Sequence, residues 1–275
     1  EMLRSLVGSE MCIRDRAQTT RDKIQIIYND EESQIIFIDT PGIQTPSNKL
    51  QEKLFEFSEE SLKESDIVTF VVDNSLEIGR LDNEIIGMLK RIHVPKILLI
   101  NKVDLLREEE LDQIKAKYED MDMFDEIIGI SALEDKNIKA YIEAIKSMLD
   151  EGPAYYDRDM ITDKSERFIV SEIIREKALN NLSEEVPHGI AVRIDNFKER
   201  DNKKLIDIDA TIIVERNSHK EIVIGKGGSM VKKIGMEARK EIETFLASKV
   251  NLKLWVKVEK DWRKKEKMVD RFGYK

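Results

Sequence analysis

Between residues 23 and 150, short apolar runs alternate with stretches in which apolar residues recur every three or four positions. The runs Lys23–Tyr28, Gln34–Ile38, Asp66–Asp73, Lys96–Ile100 and Glu126–Ile130 are rich in Ile and Val, which predicts strands. Asn48–Glu64 spaces Leu50, Leu54, Phe57 and Leu62 as a helix does, and Leu81–Ile92 does the same with Ile85, Ile86, Leu89 and Ile92. Glu108–Glu119 and Ile138–Leu149 complete the helical set. The polar turn Asn29-Asp30-Glu31-Glu32 joins the first two strands, predicting an antiparallel pair at one edge. Strand and helix then alternate at roughly the 30-residue interval of βαβ units, which predicts a parallel, doubly wound α/β sheet.

The period changes after Gly152-Pro153. A turn-rich polar stretch runs to about Lys164, and Glu166–Leu182 has Phe168, Ile169, Ile173, Ile174 and Leu182 on its apolar side. Gly189–Phe197 and Leu205–Val214 are expected strands, and Glu221–Ile224 leads into Gly225-Lys226-Gly227-Gly228. Ser229–Ala247 is an expected long helix and Leu252–Val258 a last strand. The order α-β-β-α-α-β predicts a separate small α+β domain. The expected boundaries are a G-type α/β domain at 17–152, a linker at 153–165 and the α+β domain with its tail at 166–275.

Charge follows the same division. Residues 1–152 hold 19 Lys/Arg against 33 Asp/Glu, residues 153–275 hold 27 against 22, and from Arg216 onward the ratio is 17 to 8. A basic second half suits contact with nucleic acid, although two solvated surfaces of different charge read the same way in composition. The longest apolar runs, such as Ile67–Val72, are too short to span a bilayer, and no charged segment followed by an apolar one opens the chain as a secretory signal would. The single cysteine, Cys12, cannot form an internal disulfide, which fits a reducing cytoplasm.

Candidate chemistry sits at strand ends, where open α/β sheets place ligands. Ile35–Ile38 runs into Asp39-Thr40-Pro41-Gly42. A carboxylate beside a turn whose glycine brings its N–H close to an anion suits Mg²⁺ and phosphate, but the same four residues also make an ordinary turn. Asn101-Lys102-Val103-Asp104 directly follows Ile97–Ile100. An aspartate there can accept two hydrogen bonds from guanine N1–H and its exocyclic amine, a donor pair adenine lacks; the competing reading is a helix N-cap. Ser131-Ala132 follows the next strand and could turn backbone N–H groups toward a base carbonyl. In the second half, glycines in Gly225–Gly228 let backbone N–H groups and the next helix's N-terminus approach phosphates, with Lys226, Lys232 and Lys233 adding charge. A glycine-rich helix start with a solvated basic face is the plainer alternative.

Together these residues resemble the G domain of translation-factor-related GTPases. Ile161-Thr162-Asp163-Lys164-Ser165-Glu166-Arg167-Phe168, Ser171–Lys177, Val223–Gly228 and Leu254-Trp255-Val256-Lys257-Val258 narrow the resemblance to the Era family, over about Gln18 to Lys275. The resemblance implies a P-loop-NTPase-type G domain followed by a type II KH domain, and a GTP-hydrolysing switch that binds the 3′ end of small-subunit rRNA and assists assembly of the 30S subunit. It implies GTP or GDP with Mg²⁺ as cofactors: Thr20 and Asp39 at the metal, Asp39, Thr40, Pro41 and Gly42 in the second switch, and Asn101, Lys102, Asp104, Ser131 and Ala132 around the base. It places Gly225, Lys226, Gly227, Gly228, Lys232 and Lys233 on RNA. A cytoplasmic location is expected, with peripheral association at the inner membrane.

Two departures qualify this. No Gly-x-x-x-x-Gly-Lys-Ser/Thr occurs in the 275 residues; that loop supplies the phosphate cradle and a Mg²⁺ ligand. It is expected ahead of Gln18, where residues 1–16 do not resemble the family and Met11–Arg16 resembles a translated sequencing-adapter tail, predicting a truncated or chimeric reading frame. The G domain is therefore expected to lack its first strand, exposing apolar surface. The second departure is Ile43, which follows Gly42 where many GTPases carry the glutamine that orients the attacking water. The alternative reading is an RNA-binding KH protein with a degenerate, non-hydrolysing G domain.

Overall fold

The computed structural model describes residues 21, 23–43, 46–182, 186–200 and 205–274. The chain divides into two compact units: the described residues within Glu1–Gln44 and Phe55–Ile161, and those within Thr45–Leu54 and Thr162–Lys275.

In the first unit, β1 (Ile24–Asn29) and β2 (Gln34–Asp39) form an antiparallel ribbon, with Ile24 opposite Asp39 and Asn29 opposite Gln34. Asp30 shapes the turn: its Oδ1 accepts from the backbone N–H groups of Glu32 and Ser33 at 3.0 and 2.8 Å, the local bonding that suits Asp to turns. Helix α1 (Lys49–Glu64) comes next and belongs to this unit from Phe55 onward. Strands β3 (Val68–Val72), β4 (Lys96–Ile100) and β5 (Glu126–Gly129) form a parallel sheet in that order, linked through α2 (Arg80–Leu89) and α3 (Glu108–Glu119), with α4 (Ile138–Met148) following.

Both faces of these strands are covered, as the α/β expectation requires. Val68, Phe70, Val72, Leu98 and Ile100 pack with Ile86 and Leu89 of α2 and Ile114 and Tyr118 of α3. Burial, with Asp82 and Asp73 nearby, pushes the Tyr118 hydroxyl up to about 12. On the opposite face, Ile97 and Leu99 join Ile130, Tyr141, Ile142 and Ile145.

The expected single sheet is interrupted. Among the described residues β2 pairs with β1 alone and β3 with β4 alone, so there is no ladder between β2 and β3. The ribbon nevertheless joins the same core, because Ile35 of β2 packs into the cluster formed by Ile97, Leu99 and α4. A consequence of the interruption stands on β3, where Val71 is 51% exposed in a strand type normally covered on both faces.

In the second unit, α5 (Glu166–Asn181) is capped by Ser165, whose Oγ accepts from the N–H of Phe168 at 3.3 Å. Strands β6 (Ala191–Glu199) and β7 (Leu205–Val214) run antiparallel, with an irregularity between Ile194 and Asn196. Helices α6 (Asn217–Ile224) and α7 (Ser229–Phe245) lead to β8 (Lys249–Val258), which pairs parallel to β7 along its whole length. Val170, Ile174 and Ala178 of α5 and Ile234, Ala238 and Ile242 of α7 cover Ile206, Ile208, Ala210 and Ile212 on one face. This is the expected α-β-β-α-α-β order. Sequence reasoning missed α8 (Glu266–Arg271) and most of α6. Ahead of α8, Trp262 is fully buried, donates from Nε1 to the Gly189 carbonyl at 2.9 Å and packs against Phe272 and Tyr274.

Lys146 of α4 closes an ion pair on Asp30 at 2.5 Å. That pairing, with the turn N–H groups, holds the Asp30 carboxyl well below the usual carboxylate range. A depressed carboxylate adds stability that is complete above its unfolded value of about 3.9 and is lost as pH falls through the folded value. Asp30→Asn is therefore expected to lower the thermal midpoint at pH 7, with the gap to wild type shrinking at pH 3. Thermal unfolding at the two pH values, followed by circular dichroism, checks this.

Candidate functional site

The first cluster lies beyond the C-terminal ends of β4 and β5. Asn101 continues β4, donating its backbone N–H to the Val72 carbonyl at 2.8 Å. Its buried Oδ1 accepts from the N–H of Lys102 at 2.8 Å and of Ala132 at 3.2 Å. One side-chain oxygen thus ties together the two loops that the sequence nominated separately. Lys102 has φ +64°, a left-handed conformation that costs a non-glycine residue energy and is found at functional loops. Val103 donates to the Ile130 carbonyl at 3.1 Å, a second tie between the loops.

Asp104 stands in the short 3-10 turn Val103–Leu105. Its Oδ1 is buried and, among the described residues, has no hydrogen-bond partner. The N-cap reading is overturned: α3 begins at Glu108, and it is Glu110 that reaches back to the N–H of Arg107 at 2.9 Å. A buried acceptor without a donor is expensive and rare in native proteins, and it suits a ligand that brings donors. Ser131 is fully buried, its backbone bridges Lys136, and its Oγ accepts from the N–H of Glu134 at 3.2 Å.

Sequence reasoning missed two supports of this site. Asn137 donates from Nδ2 to the Gly129 carbonyl at 2.7 Å, fixing the end of β5. A Cβ on Gly129 would lie 3.1 Å from both Val103 and Leu111, so the glycine sets how closely the Asn101–Asp104 loop approaches β5. The only signal was a glycine inside a strand.

Asp39 ends β2, and Thr40–Gly42 follows without regular secondary structure. Ser58 of α1 donates to the Pro41 carbonyl at 2.8 Å, anchoring this turn. Space beside Gly42 is open. Thr20 lies outside the described residues. Among the described residues no group of three His, Cys, Asp or Glu side chains gathers as a metal site. Mg²⁺ normally takes one or two carboxylates with waters and phosphate oxygens; of the nominated ligands, the described residues contain Asp39. The base pocket fits its ligand by the orphaned oxygen of Asp104, whereas the metal position rests on one carboxylate.

The glycine loop of the second unit joins α6 to α7. Gly225, Gly227 and Gly228 all have positive φ, at +72°, +59° and +79°. A Cβ on Gly225 would meet Met230 Cβ at 2.7 Å and its backbone N at 2.8 Å, while Gly227 has open space. Lys226 and Gly227 are exposed at the tip, and Lys232 and Lys233 are exposed near the start of α7. The turn is closed by Gly228 donating to the Gly225 carbonyl at 3.1 Å. The N-terminus of α7 stands behind this loop with its positive dipole end, as an anion site requires.

A parallel sheet with Asn-Lys-x-Asp at one strand end, joined to an α-β-β-α-α-β unit with a glycine-turned loop, defines a guanine-nucleotide-type domain carrying a KH domain. Comparison with known proteins agrees. The family model described as a 50S ribosome-binding GTPase matches residues 1–102, and the KH domain model matches residues 185–263. The GTPase Era of Alkaliphilus metalliredigens is 46% identical over 274 residues, covering 99% of this chain and 93% of its own length. That of Clostridioides difficile is 46% identical over 275 residues with the same coverage. A crystal structure of Era in complex with MgGDPNP and nucleotides 1506–1542 of 16S ribosomal RNA superposes with a TM-score of 0.93 at 38% identity, covering 99% of this chain and 93% of that one. An Aquifex aeolicus Era variant bound to GDP·AlF₄⁻ gives the same values. The chain belongs to the GTPase Era family.

The glycine loop gives a local test. Gly225→Ala combines a positive φ with a collision against backbone and is expected to cost more than Gly227→Ala, which meets only the conformational penalty of about 1 kcal/mol. Urea unfolding of the two variants measures the difference, and the larger loss should fall on Gly225→Ala.

Proposed function

We propose that this chain is a guanine-nucleotide switch joined to an RNA-binding KH domain, acting on the 3′ end of small-subunit rRNA during 30S assembly. The observation that carries the nucleotide half is the buried, unpartnered Oδ1 of Asp104 beside a loop locked by Asn101. A guanine base brings two donors to a carboxylate, and adenine would leave it unpaired, so the discrimination follows from the cost of a buried orphan acceptor. Asn101 holds the loop, Lys102 flanks the base, and Ser131 and Ala132 close its far side. Asp39 and Thr20 would hold Mg²⁺, and Gly42 would offer its N–H to the terminal phosphate. Mg²⁺, when bound, neutralises charge building on the phosphates. Ile43 supplies no group to orient water, so intrinsic hydrolysis is slow or uses another group.

The RNA half rests on the three positive-φ glycines and the exposed Lys226, Lys232 and Lys233. The crystallised relative in complex with 16S rRNA nucleotides supports that partner. Among the described residues no helix is long and apolar enough to cross a membrane. A cytoplasmic site of action accords with this reading, and peripheral contact with the inner membrane is the further expectation of the family resemblance.

A second reading, an RNA-binding protein whose G domain does not turn over, is favoured by one observation. Among the described residues the sheet is interrupted between β2, which carries Asp39, and β3. The 275-residue polypeptide is accordingly expected to show no Mg²⁺-dependent GTP hydrolysis above buffer background. Turnover that disappears in Asp39→Ala would overturn that expectation.

Base choice is tested with the P-loop segment of a family relative grafted ahead of Gln18. In that background Asp104→Asn is expected to weaken GTP binding by at least tenfold, roughly 1.4 kcal/mol, and to favour xanthine nucleotides, whose C2 oxygen accepts from the new amide. Competition between GTP and XTP measures this; an unchanged preference for GTP would remove Asp104 from the base site.

A further inference from the structure

The sheet of the second unit has two unlike faces. Leu254 of β8 points toward α7, where Gly235 allows so close an approach that an added Cβ would lie 3.3 Å from Leu254. Strand alternation therefore turns Trp255 to the other face, and it is 60% exposed there. On that face its neighbours two residues away along β8 are Lys253 and Lys257, both exposed. Across the sheet Trp255 registers with Thr211 of β7, and Thr211 with Arg193 of β6. The row Arg193, Thr211, Trp255 spans about 10 Å at the usual strand spacing.

A single exposed apolar residue needs no explanation by itself. The surroundings of Trp255 are what point to a ligand. A protein-docking patch has a contiguous apolar centre, whereas this indole is flanked along its strand by Lys253 and Lys257 and registers with the buried Thr211. An aromatic ring flanked by positive charge is the arrangement on which single-stranded nucleic acid stacks its bases while its phosphates meet the lysines.

The face also carries carboxylates, which keep their charge and are held by neighbours on the sheet itself. Asp195 accepts from Arg193 Nε at 2.7 Å and Thr211 Oγ1 at 2.5 Å. Asp207 accepts from Arg200 at 2.5 Å and Asn251 at 2.7 Å, and Asp209 accepts from Asn196 at 3.2 Å. Lys257 is paired with Glu259 at 2.6 Å, while Lys253, among the described residues, makes no ion pair.

We infer that this sheet face is a second RNA contact surface, on which an unpaired base stacks on Trp255 and the adjoining phosphates meet Lys253 and Lys257. It lies opposite the helices and is built independently of the glycine loop. The inference rests on the reading of this unit as RNA-binding and adds to it a stacking position for a single-stranded segment.

The chain has two tryptophans, and the other, Trp262, is fully buried. Acrylamide quenching of the 275-residue chain therefore reports chiefly on Trp255. The probe is a single-stranded oligoribonucleotide with the 3′-terminal small-subunit rRNA sequence, titrated at two salt concentrations. RNA is expected to quench the accessible emission and shield it from acrylamide. Trp255→Ala is expected to weaken binding about tenfold with an unchanged circular dichroism spectrum, and Trp255→Phe to retain most of the affinity. The double variant Lys226→Asp with Gly227→Asp serves as the reference for the glycine loop and is expected to lose at least tenfold by itself.

If the loop variant loses affinity while Trp255→Ala binds as wild type and the wild-type emission ignores RNA, the sheet face is not an RNA surface and the inference fails alone. If neither variant changes binding, the RNA-binding reading itself fails. If Trp255→Ala binds naked RNA normally but binds 30S particles poorly, the face takes a ribosomal protein, and the inference is equally overturned.

Discussion

The first unit depends on the apolar face of one helix. Tyr141, Ile142 and Ile145 of α4 pack at once against Ile35 of the ribbon and Ile97 and Leu99 of the parallel strands. Where a hydrogen-bond ladder would usually join two strands directly, side-chain packing holds the pieces side by side. Packing is less directional than a ladder, so the position of the β1–β2 ribbon rests on additional polar ties. Lys146 reaches Asp30 from the same helix, and Thr69 and Tyr141 share a hydrogen bond at 2.9 Å. Asp39 is carried at the end of this ribbon, and its placement thus inherits the quality of α4's packing.

The ribbon has a further restraint on its outer side. Gln34 accepts from the N–H groups of Tyr155 and Tyr156 at 2.8 and 2.9 Å and donates to the Tyr156 carbonyl at 2.9 Å. Tyr156 donates to Gln25, and Ile27 donates its N–H to the Ile161 carbonyl at 2.8 Å. Residues 155–161 therefore satisfy polar groups along the ribbon that would otherwise face solvent as an open edge, one of the ways proteins blunt such edges.

The strands and long helices were legible because burial imposes periodicity. Leu98 and Ile100 face one side of β4 and Ile97 and Leu99 the other, so a parallel strand covered on both faces reads as an unbroken apolar run. Leu205–Val214 and Glu108–Glu119 were found at their observed limits for the same reason. The C-terminal α8 escaped because its anchor, Trp262, is held by the distant Gly189 carbonyl, and nothing local marks that contact. Asp104 was legible as a base-site candidate from its spacing to Asp39 and to Ser131-Ala132, with an N-cap as the plainer alternative; the position of α3, which starts at Glu108, removes that alternative. Thr20 lies outside the described residues, so its role stays an expectation from the family.

What the sequence could not convey is how one side chain serves two motifs. Asn101 looks like the first letter of a linear signature, but its Oδ1 accepts from the next residue and from Ala132, so the amide is the joint between two loops. Two N–H groups that loop geometry turns inward are satisfied there, and the neighbouring Asp104 is left without a donor. A loop rigid enough to withhold hydrogen bonds from its own carboxylate keeps that carboxylate available to a base. The glycine loop solves the opposite problem: its positive-φ residues keep side chains out of the way so that backbone can approach an anion. On the proposed reading the two units select ligands by complementary means, one by a buried acceptor that demands donors, the other by exposed donors that demand an acceptor.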